Sequence, residues 1–155
     1  MKTQPVPAIE LPSTSGQTFR FAEQQGKPYV LYFYPKDNTP GCATEGQDFA
    51  RLYSEFQAQG WDVYGVSRDS LKSHAGFKAK LAMPFDLLSD SEEVACQAFD
   101  VIKLKTLYGK QVRGIERSTF LIDGQGRLVQ SWRGVKAPGH AQAVLDFIRT
   151  STKTA

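Results

Sequence analysis

The chain has 155 residues, 41% of them hydrophobic and 23% charged, and 19 basic against 16 acidic side chains leave a net charge of +3. One domain spanning residues 1–155 is expected, and a disordered or fibrous chain is excluded. Two cysteines rule out a disulfide framework and a multi-cysteine zinc cluster, and no stretch reaches the roughly 18 apolar residues of a membrane helix.

No apolar run of signal-peptide length opens the chain, so a cytoplasmic location is expected, without a membrane partner. Ala8 to Phe21 holds two short extended runs around Ser13 to Gly16 and reads as an N-terminal β-hairpin. Tyr29 to Tyr34 is a continuous apolar run before Pro35, the pattern of a central parallel strand covered on both faces. From Cys42 to Gln59 an amphipathic helix is expected, because Phe49, Leu52, Tyr53 and Phe56 recur at helical spacing and Gly60 follows. A strand over Trp61 to Val66, a helix over Ser70 to Leu81, a short strand over Phe85 to Leu88 and a helix over Glu92 to Phe99 come next.

Lys103, Lys105, Lys110, Arg113 and Arg117 form the one basic cluster. It reads as a mostly solvated loop, too weak for a nucleic-acid surface. Arg113 to Ser118 leads into a strand over Thr119 to Ile122, which the turn Asp123 to Gly126 joins to Leu128 to Trp132. A last helix runs from about Gly139 to Thr150, with Val144, Phe147 and Ile148 on one side. His74 and His140 stand apart, with no second ligand at metal spacing, and are expected to be helix-surface residues. Alternating strands and helices closed by a hairpin and a helix describe an α/β, thioredoxin-like three-layer sandwich with a central mixed sheet.

The chemistry concentrates between the first long strand and the first helix, where open α/β sheets place their sites. Thr39 suits an N-cap and Pro40 the first helical position, which puts Cys42 in the first turn. There, unpaired backbone N–H groups and the positive end of the helix dipole favour a thiolate over a thiol. Cys42 lies seven residues before Phe49, so its side chain points along the buried face. Free cysteines are often plain packing residues. Here Thr39, with a hydroxyl able to bond sulfur or an incoming oxygen, and the more distant cation Arg117 favour chemistry.

Pro35, Thr39 and Cys42 match the PxxxTxxC signature of peroxiredoxins. The blocks FYPKDNTPGCATEGQDF (Phe33 to Phe49), LLSD (Leu87 to Asp90) and GIERSTFLIDGQG (Gly114 to Gly126) resemble the bacterioferritin comigratory protein, or peroxiredoxin Q, subgroup over nearly the whole chain. The resemblance implies a peroxidase that needs neither metal nor organic cofactor and reduces hydrogen peroxide and organic hydroperoxides. Cys42 would form a sulfenic acid, Thr39 would be its hydroxyl partner, Pro35 would shield the pocket and Arg117 would activate sulfur and peroxide. Glu45 would help orient that arginine. The subgroup is often monomeric, and a monomer is expected.

A sulfenic acid must meet a thiol to be recycled. Many subgroup members carry a resolving cysteine further along the first helix, where this chain has Gln47, and others carry it in the next helix, which here contains none. Cys96 reads as a packing residue, so a one-cysteine cycle is expected, with thioredoxin, a glutaredoxin system or a small thiol as external reductant. Two other readings compete. A thiol-disulfide oxidoreductase would need a CxxC pair, whose first position is Thr39, and a non-catalytic thioredoxin-fold interaction protein would show slow peroxide reaction.

Overall fold

The computed structural model describes residues 4–153. In chain order come β1 (Gln4–Pro5), β2 (Glu10–Pro12), β3 (Thr18–Arg20), a short 3-10 turn, β4 (Tyr29–Phe33) and α1 (Pro40–Ala58). There follow β5 (Asp62–Ser67), α2 (Leu71–Lys80), β6 (Leu87–Ser89), α3 (Val94–Ala98), β7 (Ile102–Leu107) and β8 (Lys110–Ile115). β9 (Ser118–Ile122), β10 (Arg127–Arg133) and α4 (His140–Lys153) close the chain. Among the described residues, a six-stranded sheet has the order β1-β10-β9-β4-β5-β6, and the pairs β2–β3 and β7–β8 stand as separate ribbons.

Because strand side chains alternate, β4 supplies both faces of the sheet. Val30 and Tyr32 pack with Phe49, Phe56, Val144 and Ile148 of α1 and α4 on one side. Leu31 and Phe33 pack with Phe19, Phe99, Phe120 and Ile122 on the other. Every β4 residue is buried, which is why its sequence reads as an unbroken apolar run. The expected three layers and mixed sheet are present, with the β2–β3 hairpin and α3 covering the second face.

Four local expectations need correction. β4 is parallel only to β5; its other neighbour, β9, runs antiparallel, so an apolar run reveals burial on two faces but not the direction of both partners. The basic segment is a hairpin and not a loop: β7 and β8 pair around Tyr108 and Gly109, whose φ values of 52° and 77° fit a type I′ turn. Ile102 and Leu104 do alternate with Lys103 and Lys105, but the lysines and the exposure of Leu104 and Val112 leave no continuous buried face, so the alternation was masked by the basic cluster. Arg113 joins Arg68 in binding Glu93 beside α3, whereas Arg117 leaves the cluster and turns inward.

Both histidines are buried, not on helix surfaces. His74 Nδ1 lies 2.7 Å from Asp37 Oδ2, and its Nε2 donates to the Leu88 carbonyl at 2.9 Å. His140 Nε2 shares a 2.7 Å hydrogen bond with Thr119 Oγ1, and burial, then the charge of Arg117, push His140 down to about 4, leaving it neutral. Both residues supply the polar contacts that hold a helix to the sheet, a role invisible to helical periodicity. The last helix also runs on to Lys153, past the expected end at Thr150.

Tight packing between α1, β4 and β5 depends on absent side chains. Tyr32 stacks on Phe49 with centroids 4.5 Å apart, and a Cβ on Gly65 would lie 2.8 Å from Tyr32 Cζ and 2.9 Å from Leu87 Cδ2. Neither ring nor leucine has room to withdraw. Gly65→Ala should therefore lower unfolding stability by about 1–3 kcal/mol through overpacking, read from the urea midpoint at unchanged slope.

Candidate active site

The chain leaves β4 at Phe33 and must turn before α1 begins. Asp37 fixes that turn from inside: its carboxylate accepts from Tyr34 Oη at 2.6 Å and Ser73 Oγ at 2.8 Å, besides its contact with His74. Its backbone N–H donates to Asp69 Oδ2 at 2.9 Å. Burial alone would raise the Asp37 carboxyl, but hydrogen bonds from His74 and Tyr34 hold it below the usual carboxylate range. Among the described residues, Asp37, Asp69 and His74 group closely enough to hold a metal ion, yet their ligand atoms already serve this hydrogen-bond network.

Asn38 then takes a left-handed conformation with φ of 64°, and Thr39 is extended at the N-cap with Pro40 at the first helical position. The cap is one of backbone only. Thr39 Oγ1 donates to the Lys36 carbonyl at 2.8 Å, so its proton is committed there and its lone pairs are what it can offer to a ligand. Cys42 sits in the first turn, 2% exposed, and the residues one helical face further on, Phe49, Leu52 and Phe56, are buried with it.

Arg117 reaches the sulfur from the link between β8 and β9. That link is pinned on both sides, by Glu116 N–H to the Val101 carbonyl at 2.6 Å and by Val135 N–H to the Arg117 carbonyl at 3.0 Å. The guanidinium is 15% exposed. Its Nη1 donates to Glu45 Oε1 at 2.7 Å and its Nη2 to Cys42 Sγ at 3.5 Å. Burial works against the arginine's charge, yet Glu45 and Cys42 beside it raise it above the ordinary value. Glu45 is wholly buried; burial pushes its carboxyl up to about 7 in spite of Arg117.

Thus Cys42, Arg117 and Glu45 come together as expected from the sequence. Thr39 stands at the same helix start with its hydroxyl turned to backbone. Pro35 is half-buried and lines an apolar depression of about 210 Å³ with Arg68, Lys105, Val112 and Ile115. Gly41 escaped notice in the sequence: a Cβ there would lie 3.0 Å from Arg117 Nη2, so its bareness gives the guanidinium its place. Asp37 and His74 were missed too, since a loop acid and a helix histidine carry no mutual signal along the chain.

Cys96 lies on the far side of the sheet. It belongs to the second core cluster, whereas Cys42 belongs to the first, so β4 and its neighbours separate the two sulfurs. Burial, and then Asp90, raise the Cys96 thiol far above the ordinary range, which keeps it un-ionised at neutral pH.

The AhpC/TSA family profile matches residues 3–131. A curated relative from Xanthomonas campestris pv. campestris, named Peroxiredoxin Bcp, is 53% identical over 151 residues, covering 96% of this chain and 94% of its own. Another of that name from Bacillus subtilis is 47% identical over 146 residues, covering 94% and 93%. A solved structure of the Xanthomonas campestris bacterioferritin comigratory protein, described with its alkyl peroxide reduction activity, superposes with a TM-score of 0.88 at 51% identity and covers 92% of this chain and 91% of its own.

The Asp37 network makes stability depend on acid. An unfolded aspartate titrates near about 3.9, and the folded group titrates lower. The contribution of Asp37 is therefore whole above about pH 4 and disappears as pH falls through the depressed value. Asp37→Ala, which strands a buried His74, should lose about 3–5 kcal/mol at neutral pH and show a shallower acid limb than the parent in urea unfolding.

Proposed function

The chain belongs to the AhpC/TSA family and is a thiol-dependent peroxidase, and from that premise we propose that Cys42 is the sulfur that attacks the peroxide, with Arg117 as its activating cation. The observation that carries this assignment is the Arg117 Nη2 hydrogen bond to Cys42 Sγ at 3.5 Å in the first turn of α1. The guanidinium stands opposite the sulfur that reacts as a thiolate, and its N–H groups stabilise the negative charge that grows on the leaving oxygen.

The thiolate attacks the terminal oxygen of ROOH. A sulfur–oxygen bond forms, the O–O bond breaks with its electron pair leaving on RO⁻, and the alkoxide takes up a proton to become ROH. Sulfur ends as a sulfenic acid. Thr39, through the lone pairs of its hydroxyl, accepts a hydrogen bond from the incoming peroxide, and Pro35 restricts water at the outer rim. Gly41 and Glu45 act through the arginine: one leaves it room and the other holds its second arm.

Recycling depends on an external thiol, because Cys96 is un-ionised at neutral pH and sits behind the sheet. We assign thioredoxin as that reductant and read the enzyme as a monomer acting in the reducing cytoplasm, where a lone sulfenic acid finds partners. Among the described residues no helix is long and apolar enough to cross a membrane.

Cys42→Ser should abolish fast peroxide consumption, and Arg117→Lys, which loses the planar fork, should lower the rate about a hundredfold or more, both followed by stopped-flow fluorescence. Either variant reacting like the parent would remove that residue from the mechanism. Cys96→Ser should leave turnover with thioredoxin unchanged, and non-reducing mass spectrometry after peroxide treatment should find oxygen on Cys42. A Cys42–Cys96 disulfide there would refute the one-cysteine cycle.

A further inference from the structure

Arg117 faces two groups that compete for its one positive charge: the Cys42 sulfur at 3.5 Å and the Glu45 carboxyl at 2.7 Å. Glu45 is buried completely, and while Oε1 takes the arginine's N–H, Oε2 has no hydrogen-bond partner. An ionised carboxyl with one oxygen buried and unserved is unfavourable. A neutral carboxyl suits the same place, since Oε1 still accepts from Arg117 and the proton resides on Oε2. An orienting contact alone would not require a group able to carry that proton.

The other charged or titratable neighbours do not compensate Glu45. Asp48, on the same helix, repels its charge. Tyr32, from β4, is held un-ionised, by burial first and then by Glu45 and Cys42, and its own Oη is buried without a partner. Asp37, in the loop before α1, is an anion that also acts on Tyr32. His140, on α4, is neutral. Arg117 is thus the cation that Glu45 and the sulfur share.

Resting on the reading of Cys42 as the attacking sulfur, we propose that Glu45 balances its charge: the carboxyl holds a proton while Cys42 is a thiolate and releases it when the sulfur becomes a sulfenic acid. The step balances as Cys42–S⁻ plus Glu45–COOH plus ROOH giving Cys42–SOH, Glu45–COO⁻ and ROH. Two electrons pass from sulfur to the leaving oxygen, and the proton lost from Glu45 matches the one the alkoxide gains. While the carboxyl is protonated in the reduced enzyme, at and below neutrality, one negative charge faces Arg117 before and after the reaction. Glu45 acts through Arg117 and does not touch the peroxide. Its titration at about 7 lies where such an exchange operates in neutral solution.

Two readouts test this on the full chain. The infrared difference spectrum of oxidised minus reduced wild-type enzyme, taken slightly below neutrality, should show the C=O band of a protonated carboxyl disappearing, and Glu45→Gln should lack that change. The peroxide rate of Glu45→Gln relative to wild type should also rise from about pH 6 to about pH 8, by up to about tenfold, because only the wild-type carboxyl ionises across that range and draws Arg117 from the sulfur. A ratio constant with pH, or a wild-type difference spectrum without the band, would reduce Glu45 to an orienting contact and overturn the proposal. The spectrum of the wild type needs no variant to fold. The wild-type rate itself, fast or no faster than free cysteine, reports separately on the reading of Cys42.

Discussion

The contact between the Arg117 guanidinium and the sulfur of Cys42 sets the demands that the surrounding structure meets. A cation that is only 15% exposed has lost most of its hydration, and it is tolerated because Glu45 and Cys42 stand opposite its two arms. Meeting that condition fixes much else. Residues 42, 45 and 49 must share one face of α1, Gly41 must be bare on the flank where Nη2 lies, and the link before β9 must hold the arginine's backbone rigid. The helix start adds its unpaired N–H groups in the turn that carries Cys42.

The sheet makes this geometry possible by aiming β4 at the helix start. Tyr32 and Phe33 leave one strand toward opposite layers, and the next few residues reverse the chain around Asp37, whose carboxylate gathers hydrogen bonds from the loop and from α2. The loop before α1 is thus braced against the second helix by buried polar bonds rather than by apolar packing. Such bonds are strong only while every partner is present, which ties the placement of Thr39 and Pro40 to residues far away in sequence.

Much of this was readable along the chain. The run Tyr29 to Tyr34, the stripe through Phe49, Leu52 and Phe56, and the Thr39-Pro40 helix start each obey a short-range rule, and each appears within a residue or two of its expected bounds. What escaped was long-range or depended on what a residue lacks. The antiparallel partner of β4 lies far downstream in β9. The β7–β8 ribbon turns on a Tyr-Gly pair in place of the Asn-Gly or Asp-Gly that marks most such turns. His74 looked like a surface residue because the carboxylate it serves sits 37 positions earlier, in a loop. In the site, the identities of Cys42, Arg117 and Glu45 were legible from motif and resemblance, whereas the hydroxyl of Thr39 turning to Lys36 depended on coordinates.

The separation of the two sulfurs by the sheet has a consequence for how an enzyme with the proposed cycle ages. In the one-cysteine cycle proposed above, the oxidised sulfur waits for a collision, and its lifetime is set by how concentrated the reductant is outside. A second oxidant molecule enters the same race, and its victory carries the sulfur to the irreversible sulfinic stage. On that cycle the fold behaves like a fuse wired in series with the thiol supply: it conducts while reductant is plentiful and burns out, one molecule at a time, when the supply fails.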